Sequence, residues 1–273
     1  MCIRVHPWLT LGSLPHDSAR NRNRRSPHAH RPDAHAGVPS RRARPLSRPA
    51  ALLGDFPNHR AHPAHRRAAC GHGFVVAVPE IYHEFEPAGT VLAYDQAGAD
   101  RGNALKTTKE LAAYDADARA GLAYLTSHPA CTGRLGVLGI CIGGHLAFRA
   151  AMNPTVLAAT CFYATDIHKR SLARGMNDDS LDRIPEIKGE LLMIWGRQDP
   201  HVPLEGRRLV QAALDAAGTH YTWQEFNGAH AFLRDEGHRY DPELALTCYR
   251  LAIDLFRRKL GDGDQRAIAT SVQ

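Results

Sequence analysis

A short apolar run at residues 135–138 passes through Gly139-Ile140-Cys141-Ile142-Gly143-Gly144 directly into a second apolar stretch over 142–152, with no residues left for a connecting loop. A strand that becomes a helix this abruptly needs a tight, strained turn, and the glycines around Cys141 permit one. The spacing is that of a nucleophile elbow with cysteine at its apex, which lifts the side chain above the end of a sheet at a helix N-terminus. That position favours a thiolate, and the Ile142 backbone N–H points to where a tetrahedral oxyanion would form. A glycine-rich junction around a structural cysteine would read the same way, so the turn alone leaves both alternatives open.

The chain around this turn alternates strand and helix from residue 71 onward. The run at 74–78 reads as a buried strand stopped by Pro79, followed by loop chemistry through about residue 102. Thr107 or Thr108 can cap a helix that carries Leu111, Ala118, Leu122 and Leu125 and ends before Pro129. Strands are expected at 135–138, 156–163, 191–195 and 221–226, and helices at 142–152, 204–217 and 242–260. Residues 164–188 are polar and read as an excursion over the sheet edge. The alternation implies an α/β fold: a doubly wound, mostly parallel sheet in one domain over 71–262, with a tail at 263–273.

Residues 1–70 have a different composition. They hold 13 Arg, no Lys and three acids (Asp17, Asp33, Asp55), a net of +10, whereas the whole chain of 273 residues carries only +6. They also hold nine of the 17 prolines and no Glu, Gln or Tyr. Such a stretch buries too little apolar surface to offset its ordering entropy, and its prolines interrupt helices. It reads as a disordered or out-of-frame segment, with a leader or a basic arm as the competing readings, and the first strands of the domain are expected to be missing. It lacks the interleaved aromatic residues of a nucleic-acid arm, so no nucleic-acid partner is expected. No apolar run approaches the ~18 residues of a membrane span, and no secretory leader is evident, so no membrane partner is expected either. The six cysteines lie far apart without a C-x-x-C pair, which indicates neither zinc nor a disulfide framework and fits a reducing, cytoplasmic setting. Oligomeric state is not legible.

Two later segments complete a chemical constellation. Trp195-Gly196-Arg197-Gln198-Asp199 places Asp199 after one strand, and Asn227-Gly228-Ala229-His230 places His230 after the last. The order nucleophile, acid, histidine is that of the α/β-hydrolases, and each residue follows a strand's C-terminal end, where such sheets bind ligands. His230 would take the Cys141 proton, Asp199 would hold the imidazole, and the thiolate would attack an ester or lactone carbonyl, with no metal or cofactor required. Cys161, in an apolar strand, reads as core. His72, His83, His145, His201 and His238 form no ligand spacing, and His201 reads as a loop residue. Arg234 suits a substrate carboxylate or a solvated surface equally.

These segments, with Val78-Pro79-Glu80-Ile81-Tyr82 and the stretch from Gly196 to Pro203, resemble the dienelactone hydrolase family over about residues 71–260. The resemblance implies hydrolysis of a small lactone of the dienelactone type, carboxymethylenebutenolidase chemistry in the degradation of aromatic compounds. It assigns Cys141, Asp199 and His230 as catalytic, Ile142 to the oxyanion hole, and Arg234 and Tyr82 to the substrate. The sequence departs from the family in two places. His83 and Glu84 stand where members acting on dienelactone have an arginine, and residues 1–70 offer no counterpart to the early strand and loop that supply a thiol-partnering glutamate and a second oxyanion N–H. A catalytically impaired or non-catalytic hydrolase-like protein is therefore the competing expectation.

Overall fold

The computed structural model describes residues 2–5, 48–54, 70–93, 95–235 and 237–261. Seven strands among them form one sheet: β1 (Cys2–Val5), β2 (Arg48–Gly54), β3 (Val75–Pro79), β4 (Cys131–Ile140), β5 (Val156–Phe162), β6 (Glu190–Gly196) and β7 (Tyr221–Phe226). Their order is β1-β3-β2-β4-β5-β6-β7, and every neighbouring pair is parallel. The helices are α1 (Gln96–Thr108), α2 (Leu111–Ser127), α3 (Ile142–Ala150), α4 (Leu204–Ala216) and α5 (Pro242–Leu260).

Side chains alternate across the strands as a sheet buried on both faces requires. Val75, Ala77, Leu135, Val137, Ala159, Leu191, Met193 and Trp195 pack on the face covered by α2, α3 and α4. Val76, Val78, Leu138, Ala158, Leu192 and Ile194 meet Leu255, Phe256 and Leu260 of α5 on the other. This is the doubly wound architecture read from the strand and helix alternation.

Two expectations are corrected. The stretch before α2 is not loop to residue 102, because 96–108 form α1, capped by Asp95, whose side chain accepts from the Gly98 N–H at 2.8 Å. Thr107 and Thr108 close that helix rather than opening the next, and α2 begins after Glu110 without a side-chain cap. The helix was hard to see because its buried positions are Gly98, Gly102 and Leu105, leaving almost no apolar stripe to recognise. Secondly, the basic N-terminal segment is not wholly without structure: Cys2–Val5 and Arg48–Gly54 pair with β3, and the latter also pairs with β4. The expectation of missing first strands overlooked Ala-Ala-Leu-Leu at 50–53, an apolar run too short to stand out among arginines and prolines. The rest of 1–70 apart from Cys70, and the tail 263–273, lie outside the described residues.

The polar excursion 164–188 is present, with short 3-10 turns at Ile167–Lys169 and Ile184–Glu186. A buried network ties it to the helices. His145 Nε2 of α3 lies 2.7 Å from Ser180 Oγ and 3.4 Å from Asp178 Oδ1, while Arg149 donates to Asp115, Asp179 and Ser180. The helix that starts at the elbow is thereby locked at its far end. Cys131, Cys141, Cys161 and Cys248 are free thiols, whereas Cys70 is disulfide-bonded, a pairing its isolation in sequence did not suggest.

Candidate active site

Cys141 stands between β4 and α3 with φ 60° and ψ −121°, a conformation side chains rarely adopt. The neighbouring glycines are required by space as well as by freedom. A Cβ on Gly139 would lie 1.7 Å from the Gly143 carbonyl oxygen, and one on Gly144 would lie 2.9 Å from that of Phe162. Backbone bonds to the chain leaving β5 hold the turn: the Cys141 N–H donates to Phe162 O at 3.0 Å, and the Thr165 N–H donates to Cys141 O at 3.3 Å. Ile142, the first residue of α3, carries one of the N–H groups that a helix start leaves without an intrahelical partner, and it lines the cavity beside the thiol.

The loops after β6 and β7 are laced together. Arg197 N–H donates to Phe226 O at 2.7 Å and Gln198 N–H to Gly228 O at 3.0 Å, an approach so close that a Cβ on Gly196 would sit 2.4 Å from Gly228 O. The lacing brings Asp199 beside His230. His230 Nδ1 lies 2.7 Å from Asp199 Oδ2, and His230 Nε2 lies 3.2 Å from Cys141 Sγ. Both Asp199 and His230 are buried. Burial disfavours a charged His230, but the Cys141 charge and the bonds to Asp199 and Cys141 outweigh it and push the imidazole up to about 10. The site therefore favours the imidazolium form of His230 beside the Cys141 sulfur.

A cavity of about 320 Å³ opens over Cys141 at the C-terminal ends of the strands, as expected for a parallel sheet. Arg234 lines it, with Arg239 nearby, and α1 forms one wall through Asp95, Ala99, Asn103 and Lys106. Lys106 Nζ lies 2.7 Å from Asp166 Oδ2 across that wall. Local spacing ties none of α1, Lys106, Asp166 and Arg239 to the elbow, so sequence reasoning missed them. Tyr163 was read only as the end of a strand, yet it packs against His230 with ring centroids 4.9 Å apart. His201, read as a loop residue, is in that loop but also touches His230 and lines the cavity.

Tyr82, which the resemblance links to the substrate, packs behind the cavity wall. It is wholly buried, does not line the cavity, and points its hydroxyl at Gly102 O of α1 from 3.4 Å. Its tip is turned into the packing behind the cavity wall, next to Tyr114. His83 and Glu84 do not line the cavity either. With Asp117 they form a cluster of metal-ligand type, but the fully buried Lys109 ammonium sits among them, 2.6 Å from Glu84 and 2.7 Å from Asp117. An internal cation thus already satisfies these carboxylates. Cys161 is fully buried in β5, and burial pushes its thiol well above the ordinary range. No helix among the described residues is long and apolar enough to cross a membrane.

Comparison with known proteins accords with this geometry. Residues 60–260 match the model of the dienelactone hydrolase family. A "Putative carboxymethylenebutenolidase" of Saccharomyces cerevisiae is 42% identical over 195 residues, covering 69% of this chain and 71% of the yeast protein. A carboxymethylenebutenolidase of a Pseudomonas species is 26% identical over 187 residues, covering 68% and 74%. Among solved structures, a "Putative Dienelactone Hydrolase" from Klebsiella pneumoniae superposes with a TM-score of 0.66 at 18% identity, over 80% of this chain and 90% of that one. At that identity the superposition speaks for the fold.

Proposed function

The chain belongs to the dienelactone hydrolase family and is a carboxymethylenebutenolidase-like hydrolase, and on that premise we propose that it cleaves a small ester or lactone through a cysteine acyl-enzyme. The observation that carries the reading is the unbroken hydrogen-bonded chain from Cys141 Sγ through His230 to Asp199.

The steps follow from the roles of these atoms. Cys141 thiolate attacks the carbonyl carbon, and the oxyanion that forms is held by the Ile142 N–H at the start of α3. The intermediate collapses by breaking the carbon–oxygen ester bond, and His230 gives its Nε2 proton to the leaving oxygen, which for a lactone remains attached as the opened chain. Asp199 holds the imidazolium throughout. Water then attacks the thioester while His230 accepts its proton, and the thiolate leaves as the carboxylic acid is released. Each step uses only side chains and backbone of this chain.

Arg234, one turn beyond His230 and lining the cavity, suits a carboxylate on the substrate, as in a dienelactone. Such lactones arise when aromatic rings are degraded, and the nucleophilic Cys141 thiol must stay reduced to act. The test is hydrolysis of a dienelactone and of a chromogenic short-chain ester by the purified protein and by Cys141→Ala, with circular dichroism on both. Activity that disappears with Cys141 supports the reading, and the ratio of the two rates ranks lactone against simple ester. A folded wild type inactive on both substrates contradicts it.

A further inference from the structure

Hydrogen bonds at Nδ1 and Nε2, with the covalent bond at Cγ, set the plane of the His230 imidazole, but they hold only while the side chain does not swing about its Cα–Cβ and Cβ–Cγ bonds. A side chain free to swing would spend part of its time with Nε2 poorly aimed at the thiol and at the leaving oxygen, and proton transfer is sensitive to such misalignment. Packing against the ring supplies that constraint.

His201 touches both partners of the His230–Asp199 contact. It lies two residues after Asp199, and its backbone N–H donates 2.8 Å to Asp199 Oδ1, the carboxylate oxygen that His230 leaves free. Its own ring meets the His230 ring at a centroid distance of 4.5 Å and an angle of 62°. Tyr163 makes a second steep contact with His230, at 4.9 Å and 66°, and is itself braced by Phe232 at 5.0 Å. One residue thus restrains the acid through its backbone and the histidine through its side chain.

We propose that His201 is a positioning residue of this hydrolase, its ring acting with Tyr163 to stop the His230 side chain from swinging out of its two hydrogen bonds. The inference rests on the reading of Cys141, His230 and Asp199 given above. The contact works because the two rings do not carry charge together. Burial holds His201 below the ordinary histidine value, the His230 charge pushes the same way, Arg239 and Lys169 add to it, and only Asp199 opposes. His201 therefore stays neutral while His230 carries the proton. In acid it protonates and sets a second positive charge against the imidazolium.

The experiment compares wild type, Cys141→Ala, His201→Ala, His201→Phe and His201→Leu on the same ester, with melting curves for each. His201→Ala is expected to lower kcat by about tenfold or more while KM moves by less than about threefold, as for a misaligned proton-transfer group. His201→Phe, which restores a flat ring, is expected to recover kcat to within about threefold of wild type and to keep more of its neutral-pH activity at pH ~5, since phenyl cannot protonate. Leucine fills the space without a flat ring, so if the alanine protein does not fold, the comparison of leucine with phenylalanine decides. Unchanged kcat in His201→Ala, or equal kcat in the leucine and phenylalanine proteins, overturns the inference. Full activity in Cys141→Ala overturns the underlying reading instead, so the two failures are distinguishable.

Discussion

Asp199 Oδ2 and His230 Nδ1 lie 2.7 Å apart although 31 residues separate them in sequence, because the loops after β6 and β7 exchange backbone hydrogen bonds. The contact is buried, so the carboxylate acts on the imidazole with little solvent screening. Its consequences reach the pH dependence directly.

The imidazolium of His230 supplies the proton for the leaving group, and its ionisation sits at about 10 rather than near the ordinary histidine value. A raised value means that the charged form is lost only as pH rises through it. The alkaline limb of kcat/KM is therefore expected near pH 10. In Asp199→Asn that limb should move downward and kcat should fall by a factor on the order of 10³ to 10⁴. Rate profiles of the two proteins between pH 5 and 11, intervals chosen around ~6.5 and the raised value, check both statements.

Arg234 lines the cavity over the thiol, and its proposed partner is a substrate carboxylate. Arg234→Gln should raise KM for a lactone bearing a carboxylate by ~10-fold or more, the loss expected of a charge-assisted hydrogen bond, and leave KM for a neutral ester nearly unchanged. Steady-state kinetics on the two substrates decide. Equal effects on both would assign Arg234 to the fold rather than to the substrate.

The elbow tolerates no side chain at Gly139, where a Cβ would meet the Gly143 oxygen at 1.7 Å. Gly139→Ala should cost about 3 kcal/mol or more, or fail to fold, because backbone on both sides must move. Gly218→Ala makes a control: its φ of +63° is strained for alanine but no atom lies within 4 Å, so about 1 kcal/mol is expected. Thermal melts of the two proteins measure the difference.

Asp178 is buried beside His145 and accepts from the Leu172 and Ser180 N–H groups. Burial opposes its charge, but the His145 bond, the His145 charge and the N–H donors together hold its carboxyl well below the usual carboxylate range. A depressed value gives stability that is present above the unfolded value near ~3.9 and is lost as pH falls below it. Asp178→Asn should cost about 2 to 4 kcal/mol at neutral pH, and the gap to wild type should close in acid. Urea unfolding at pH ~7 and ~3 tests the sign.

Lys109 is fully buried, paired with the buried Asp117 and with the solvent-reaching Glu84. Lys109→Met should cost about 3 to 5 kcal/mol, since it strands the buried Asp117 carboxylate without its cation. Adding divalent metal to that variant and following its melting temperature asks whether the vacated cluster of His83, Glu84 and Asp117 then takes an ion in place of the ammonium. A melting temperature equal to wild type without metal would contradict the pairing.

How much of this was legible in the sequence depended on whether the signal was local. The elbow could be read because Gly139, Cys141 and Gly144 are close neighbours and the steric demand on them is local. The strands β5, β6 and β7 could be read because their apolar periods are strong. Helix α1 escaped because its buried side is two glycines and a single leucine, so its place over the site comes from tertiary contacts such as Lys106 with Asp166, 60 residues apart. Tyr82 was assigned to the substrate by its motif, but its side chain turns behind α1, a direction that sequence spacing does not encode. His201 looked like loop chemistry because its partner is contributed by a different strand end.

The most direct test of the account is to quench turnover of a short-chain aryl ester with acid and weigh the intact protein, then locate the added mass by peptide mapping. The account predicts an acyl group on the peptide carrying Cys141, accumulating in wild type and absent from Cys141→Ala. An acyl group on another residue, or wild-type turnover by the Cys141→Ala protein, would contradict it.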